Sequence, residues 1–303
     1  MKDMNLAQSL VGAVLTLAAL AGPSVALAEA NPQSQPLFAE TKAEINLLSL
    51  NVWGLPAPIG TALQPRMERI AKAVRGYDVV VLQETFDSST DGIIATSGYP
   101  YGIQEQNPGW GQVRSGLTTL SRWPIIKSGF YPFAHCYSTD CLARKGILFT
   151  RILHPELGPI DVYNTHYQSM RRVEAAEVRY TQNEAMQRFV FANNGYYPTI
   201  LGGDFNLSPD SGEYKDLQTR LPLLDSFGVK HPEHVGFSMH VGPQGFKPNN
   251  SQRIDYLFLL QNARYSAEVL ASALEFTEPV EGLKLSDHLG VSARLRITGP
   301  VNR

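Results

Sequence analysis

Cysteine is nearly absent from this chain: of 303 residues only Cys136 and Cys141 are cysteine. No second cysteine pair and no histidines at ligand spacing accompany them, which argues against a zinc site. They either close a small loop, if the chain is exported to an oxidising compartment, or stay as free thiols. Long apolar runs are lacking too. The run Leu10 to Leu20 is too short to span a bilayer, and no other stretch looks transmembrane. Charge of one sign is scarce, because 26 Lys and Arg stand against 28 Asp and Glu for a formal net charge of −2. The total therefore gives no sign of a strongly basic, nucleic-acid-binding surface. Internal repeats and low-complexity tracts are missing as well. With 43% hydrophobic and 18% charged residues, the chain reads as one large domain able to bury a substantial core.

What is present begins with an address. Lys2, the apolar run and the small residues Ala26 and Ala28 around Leu27 fit a secretory signal cleaved near Ala28. The division expected is a signal peptide over 1–28, a Pro/Gln/Ser-rich linker over 29–43 and a catalytic domain over 44–303, in a secreted or periplasmic protein. Strands are expected at Ile45–Val52, Val79–Leu82, Leu117–Ser121, Ile147–Ile152, Ile160–Thr165, Thr199–Gly202, Ile254–Leu260 and Val291–Ile297. Met67, Ile70, Ala71 and Val74 follow helical spacing, as do Ala185, Met186, Phe189 and Val190. Neighbouring strands with helices between them predict an α/β sandwich rather than an alternating barrel.

Most predicted strands close on polar groups. The run GGDFNLSPD places Asp204 and Asn206 two apart, on one face if the strand continues, with Gly202 and Gly203 allowing close backbone approach. An acid and an amide so placed could activate a water and hold a developing phosphoryl charge, although a strand followed by an Asx turn would look the same. Glu84 directly follows an apolar run, where a carboxylate must be paired, hydrogen-bonded or bound to a metal. Asn51 ends the first strand and equally suits a turn before Gly54 and Pro56. His166 ends another strand. Asp255 sits among apolar neighbours and is the candidate to orient a histidine, while Asp287 and His288 stand at the start of the last strand, with separate tasks unless a turn intervenes.

The ordered set Asn51, Glu84, His166, Asp204, Asn206, Asp255, Asp287 and His288 resembles the endonuclease/exonuclease/phosphatase superfamily, over about Glu44 to Arg296. That resemblance implies a deoxyribonuclease-I-like fold, a four-layered α/β/β/α sandwich, and magnesium-dependent cleavage of phosphate esters. By the same resemblance Glu84 is the principal metal ligand, with Asn51 beside it and Asp287 near a second metal. Asp204 orients or deprotonates the attacking water, Asn206 steadies the phosphoryl oxygens, His166 binds phosphate, and Asp255 partners His288.

The fold does not name the substrate. GQVRSGLTTLSRWPI, HYQSM, VRYTQNEAMQRFV and GGDFNLSPDSGEY are similar to secreted bacterial neutral sphingomyelinases of the phospholipase C type, most tellingly around Val178, Arg179, Gln182 and Gln187. In DCLARKG, Asp140 and Lys145 stand five apart as in that family, which implies a loop beside the substrate. Phe130, Tyr131, Phe133 and Tyr137 suit either a lipid interface or a core. One departure is the short Gln261–Ser286 segment, with only Tyr265 and Phe276 where the Gram-positive members carry an aromatic hairpin. The resemblance thus predicts a monomeric hydrolase of membrane sphingomyelin that makes peripheral contact with the bilayer and binds no nucleic acid. The alternative is a secreted nuclease or other phosphodiesterase of the same fold.

Overall fold

In the computed structural model, residues 40–106, 110–193, 196–239 and 251–300 are described. The expected signal segment and the linker up to residue 39 lie outside them. Among the described residues twelve strands run in chain order as β1 (Glu40–Asn51), β2 (Val79–Gln83), β3 (Tyr101–Gln104), β4 (Thr118–Ser121), β5 (Ile125–Pro132), β6 (Gly146–His154), β7 (Gly158–His166), β8 (Thr199–Asp204), β9 (Leu223–Asp225), β10 (Asp255–Leu260), β11 (Ser266–Glu275) and β12 (Gly290–Pro300). They form two six-stranded sheets, ordered β11-β12-β1-β2-β4-β3 and β5-β6-β7-β8-β10-β9. The helices are α1 (Leu63–Ala73), α2 (Gly92–Thr96), α3 (Val173–Asn193), α4 (Gly212–Arg220) and α5 (Ser226–Lys230).

Alternation along the central strands builds the layers. Ile45, Leu47, Val79 and Val81 face Val162, Ile200, Leu257 and Leu259 across the space between the sheets. Their neighbours Leu48, Leu50, Val80 and Leu82 turn outward onto Met67, Ile70 and Val74. On the other side Phe149, Tyr163, Leu201, Tyr256 and Phe258 turn outward onto Met186 and Val190 of α3. Strands buried on both faces read as unbroken apolar runs. The result is the expected α/β/β/α sandwich.

Four strands had no signal in the sequence: β3, β5, β9 and β11. All four are sheet edges. An edge strand half in water carries neither an apolar run nor a clean alternation, and β5 has exposed Ile126, Lys127 and Ser128 in succession. The first strand also starts earlier than expected, since Glu40–Ala43 pairs with the end of β12 and takes up the last part of the assigned linker.

Topology gathers the chemistry at one end of the sandwich. Parallel pairing sets Asn51 beside Gln83, just before Glu84, and His166 beside Asp204. Antiparallel pairing sets the first residue of β10, Asp255, opposite Asp204. Because β12 runs antiparallel to β1, with Val291 opposite Ser49, His288 enters at that same end.

Candidate active site

Two glycines let the layers close at Asp204. A β-carbon on Gly202 would lie 2.7 Å from Val81 of the facing sheet. One on Gly203 would lie 2.1 Å from the Thr165 carbonyl oxygen, and Gly203 holds φ 152°. Asp204 is the last residue of β8, so Asn206 lies beyond the strand. This differs from the strand-face expectation: the Asp204 carboxylate accepts the Asn206 N–H at 3.0 Å, an Asx turn that puts Asn206 at φ 51°. Its side-chain amide donates to the Tyr167 carbonyl at 3.3 Å.

Asn51 is the hub. Its Nδ2 donates to Glu84 Oε1 at 2.9 Å and to Asp204 Oδ2 at 3.1 Å, while its Oδ1 accepts the Trp53 N–H. The amide thus holds two carboxylates near each other. Glu84 adopts φ 57°, a left-handed conformation uncommon for a side chain of this length. Taken whole the residue is half-buried, yet its Oε2 is shielded from solvent and has no hydrogen-bond partner.

On the opposite wall His288 Nδ1 meets Asp255 Oδ2 at 2.8 Å, and the Ser238 hydroxyl donates to that same oxygen at 2.6 Å. The His288 Nε2 lies 3.8 Å from Asp204 Oδ2. A bend at Asp287 precedes β12, so neither Asp287 nor His288 belongs to the strand. Ser286 ties this bend down, donating to the Asn51 carbonyl at 2.6 Å and accepting the His288 N–H. Buried Arg66 fixes both flanks by donating to the Val52, Trp53 and Leu285 carbonyls. Ser238, Ser286 and Arg66 were missed in the sequence, and no motif could have marked them, because each acts through long-range contacts.

His166 Nε2 lies 3.1 Å from Lys145 Nζ and 3.5 Å from Asp204 Oδ2. Lys145 also donates to Asp140 Oδ2 at 2.8 Å and to the Tyr167 carbonyl at 2.9 Å, so all its donors are engaged inside the protein. Asp140 in turn accepts the N–H and the hydroxyl of Ser169. The 138–142 turn bearing Asp140 is closed by the Cys136–Cys141 disulfide, which settles the two open readings of these cysteines. In this arrangement Asp140 positions Lys145, and Lys145 stands against His166.

The electrostatics follow from burial. Burial, then the nearby Asp255 charge, pushes the Asp204 carboxyl up to about 7. Burial and Asp287 raise Glu84 against the opposing pull of Asn51, His288 and Lys145. Burial lowers His166 well below the usual imidazole value, and the Lys145 and His288 charges lower it further. Burial works against a charged His288 as well, but the Asp255, Asp204 and Asp287 carboxylates outweigh it and raise its pKa well above the usual value. The pocket therefore holds a neutral histidine and a protonated one on either side of a carboxyl group poised near neutrality.

Two donor sets could hold a cation. Asp204, Asp255 and His288 offer ligand atoms within 4.8 Å of one another. In that trio the Asp255 oxygen facing His288 already takes two hydrogen bonds, while its other oxygen, like Glu84 Oε2, is buried without a partner. Such an oxygen is costly, and a hard divalent cation would relieve it. Asn51 fits beside Glu84 less simply, because its nitrogen rather than its oxygen faces the carboxylates.

The sphingomyelinase-like flanks turn out to be scaffold. Buried Arg179 pairs with Glu213 at 2.8 Å and donates to the Gln168 and Met170 carbonyls, while Gln182 accepts the Gln168 N–H and Gln187 donates to the Arg220 carbonyl. They shape the loop after His166 and do not line its reactive atoms. Of the aromatic stretch, Phe133 packs edge-on against core Tyr167 and Tyr131 against Phe189.

The sequence profile of the Endonuclease/Exonuclease/phosphatase family matches residues 48–288. A Drosophila melanogaster protein provisionally named a neutral sphingomyelinase is 28% identical over 289 residues, covering 84% of this chain; the chain spans 61% of that relative's length. Among solved structures, sphingomyelinase C from Streptomyces griseocarneus superposes with a TM-score of 0.63 at 23% identity, covering 83% of this chain and 99% of that one. D. rerio TDP2 complexed with single-strand DNA product superposes at 0.67 with 17% identity, covering 84% and 99%. At such identities these two likenesses show the fold alone.

Proposed function

The chain belongs to the endonuclease/exonuclease/phosphatase family, and from that premise we propose that it hydrolyses the phosphodiester of sphingomyelin to ceramide and phosphocholine. The observation that carries the chemistry is the facing of two unlike walls across Asn51 and Asp204: Glu84 with its unpartnered oxygen, and the His288–Asp255 pair at 2.8 Å. One wall suits a cation and the other suits proton transfer. The lipid substrate rests on the neutral sphingomyelinase name of the Drosophila relative and on the flanking sequence.

In this reading Glu84 holds magnesium, with Asn51 and Asp287 beside it, and the ion when bound neutralises charge on the phosphoryl group. The chain's own groups do the rest. Asp204 and His288 divide the acid and base work at their 3.8 Å approach, one taking the proton from water and the other delivering a proton to the departing ceramide oxygen. Asp255 fixes the His288 tautomer through Nδ1, leaving Nε2 toward the reacting atoms. His166 and Asn206 take the phosphoryl oxygens in this reading, with Lys145 and Asp140 holding that wall. The bond formed joins the water oxygen to phosphorus and the bond broken is phosphorus to ceramide oxygen, with no covalent enzyme intermediate. The protein acts as a secreted or periplasmic monomer in peripheral contact with the membrane. Among the described residues no helix is long and apolar enough to cross one.

The test is product analysis on sphingomyelin, phosphatidylcholine and plasmid DNA, each with magnesium or with chelator. Phosphocholine and ceramide released from sphingomyelin only with magnesium is the expected result. Intact sphingomyelin beside nicked plasmid would replace this reading with the nuclease of the same fold.

A further inference from the structure

Asn206 opens onto a groove of about 800 Å³ whose wall continues through Ser169, Met170, Arg171, Arg172 and Val173. Beyond the reacting atoms, the rim of this groove carries side chains that catalysis does not use. Val173, at the start of α3, is 74% exposed, and Met170 is exposed while holding φ 75°, a conformation that long side chains seldom adopt. Arg171 and Arg172 between them are exposed and have no side-chain partner among the described residues.

The rim extends through the disulfide-closed turn. Asp140 accepts both the N–H and the hydroxyl of Ser169, at 2.7 and 3.0 Å, so Met170 stands next to the 138–142 turn. There Leu142 is 64% exposed, and its carbonyl accepts the Val113 N–H at 2.8 Å. That contact brings in the segment containing Trp110, which is fully exposed. The stretch between β10 and His288 supplies nothing comparable: Tyr265 is buried between the sheets and Phe276 packs onto the α1 side.

We propose that Trp110, Leu142, Met170 and Val173, set around Arg171 and Arg172, form the surface that docks on the headgroup layer of a phospholipid bilayer. The proposal rests on the lipid reading of the site. An indole belongs at the membrane interface, where its ring meets acyl chain and its N–H stays wet. The arginine pair complements the phosphate layer, each guanidinium able to take two phosphate oxygens. Duplex DNA would also satisfy the arginines, but its phosphate backbone offers nothing to four exposed apolar side chains. A bilayer takes both, and it delivers the phosphodiester to the groove that ends at Asn206.

Sedimentation with vesicles of phosphatidylcholine and sphingomyelin tests the surface without reference to turnover. The variants are Trp110→Ala/Leu142→Ala and Arg171→Gln/Arg172→Gln, with circular dichroism checking the fold of each. Moving one such apolar side chain into lipid is worth about tenfold in partitioning, so the first variant should lose vesicle binding by about that factor or more. Its turnover on vesicles should fall in parallel, while turnover of a monomeric short-chain sphingomyelin stays within about twofold of wild type. Vesicle binding equal to wild type in both variants overturns the proposal. So does a wild-type protein that retains plasmid DNA through Arg171 and Arg172 and leaves vesicles unbound. A wild-type protein that binds vesicles through this rim yet leaves sphingomyelin intact supports the docking surface and retires the substrate reading alone.

Discussion

Asp255→Asn separates chemistry from folding. The carboxylate is buried, it accepts from His288 Nδ1 at 2.8 Å and from Ser238 at 2.6 Å, and its other oxygen has no partner. Asparagine keeps the volume and removes the charge. Without Asp255, burial acts on His288 against weaker opposition from Asp204 and Asp287, and the imidazole loses both its fixed tautomer and its raised pKa. General acid–base catalysis by a positioned side chain is worth roughly 10²–10⁴ in rate, or about 3–5 kcal/mol of barrier. The variant should lose kcat by that factor, with KM nearly unchanged. Stability should fall by roughly 3 kcal/mol while the protein stays folded, because removing one partner of a buried charge pair leaves the other uncompensated. Phosphocholine release measured against pH, beside thermal unfolding of the same preparation, reads both. A kcat within about threefold of wild type would refute the assignment, since an uncoupled histidine cannot serve that step so nearly as well.

Magnesium at about 100 times its Kd should stabilise the wild-type fold by roughly 2.7 kcal/mol, and Glu84→Gln should show no such shift by calorimetry while being no less stable without metal. Gly203→Ala sets a methyl group 2.1 Å from the Thr165 carbonyl, and the strain should cost roughly 3 kcal/mol or more in unfolding free energy, along with most turnover. Cys136→Ser/Cys141→Ser opens a short loop and should cost about 2 kcal/mol by denaturant titration, with a several-fold fall in kcat as Asp140 releases Lys145; turnover unaffected by both changes would disconnect the turn from the site. His154 Nδ1 accepts the Glu156 and Leu157 N–H groups, and burial lowers its pKa. The unfolded chain binds the proton first as pH falls below about 6.5, so the stability this group contributes is lost in that direction at up to about 1.4 kcal/mol per pH unit. His154→Gln should flatten that limb of the stability profile.

The central strands were legible because burial on both faces leaves an unbroken apolar run, as in Val79–Leu82. The edge strands were not, since water on one side erases the pattern, and β11 mixes exposed and buried positions without a period. The candidate residues were named in order from polar groups at strand ends. Their working geometry was another matter: Asn206 reaches the site through an Asx turn beyond its strand, and Asp287 and His288 lie in a bend before theirs. Arg179, Gln182 and Gln187 stood out as substrate signals and proved to be braces, because a sequence motif records that a residue type is needed and not what it touches.

The sequence by itself determined the family, the two buried sheets and the set of acids, amides and histidines, because these depend on local patterning and on residue identity along one chain. Only the tertiary structure decided that Asn51 bridges Glu84 and Asp204, that Ser238 shares Asp255 with His288, and that Lys145 stands against His166. Those relations depend on strand order and register, which join residues from 17 to 153 positions apart, and on burial, which sets the charge each group carries once water is excluded.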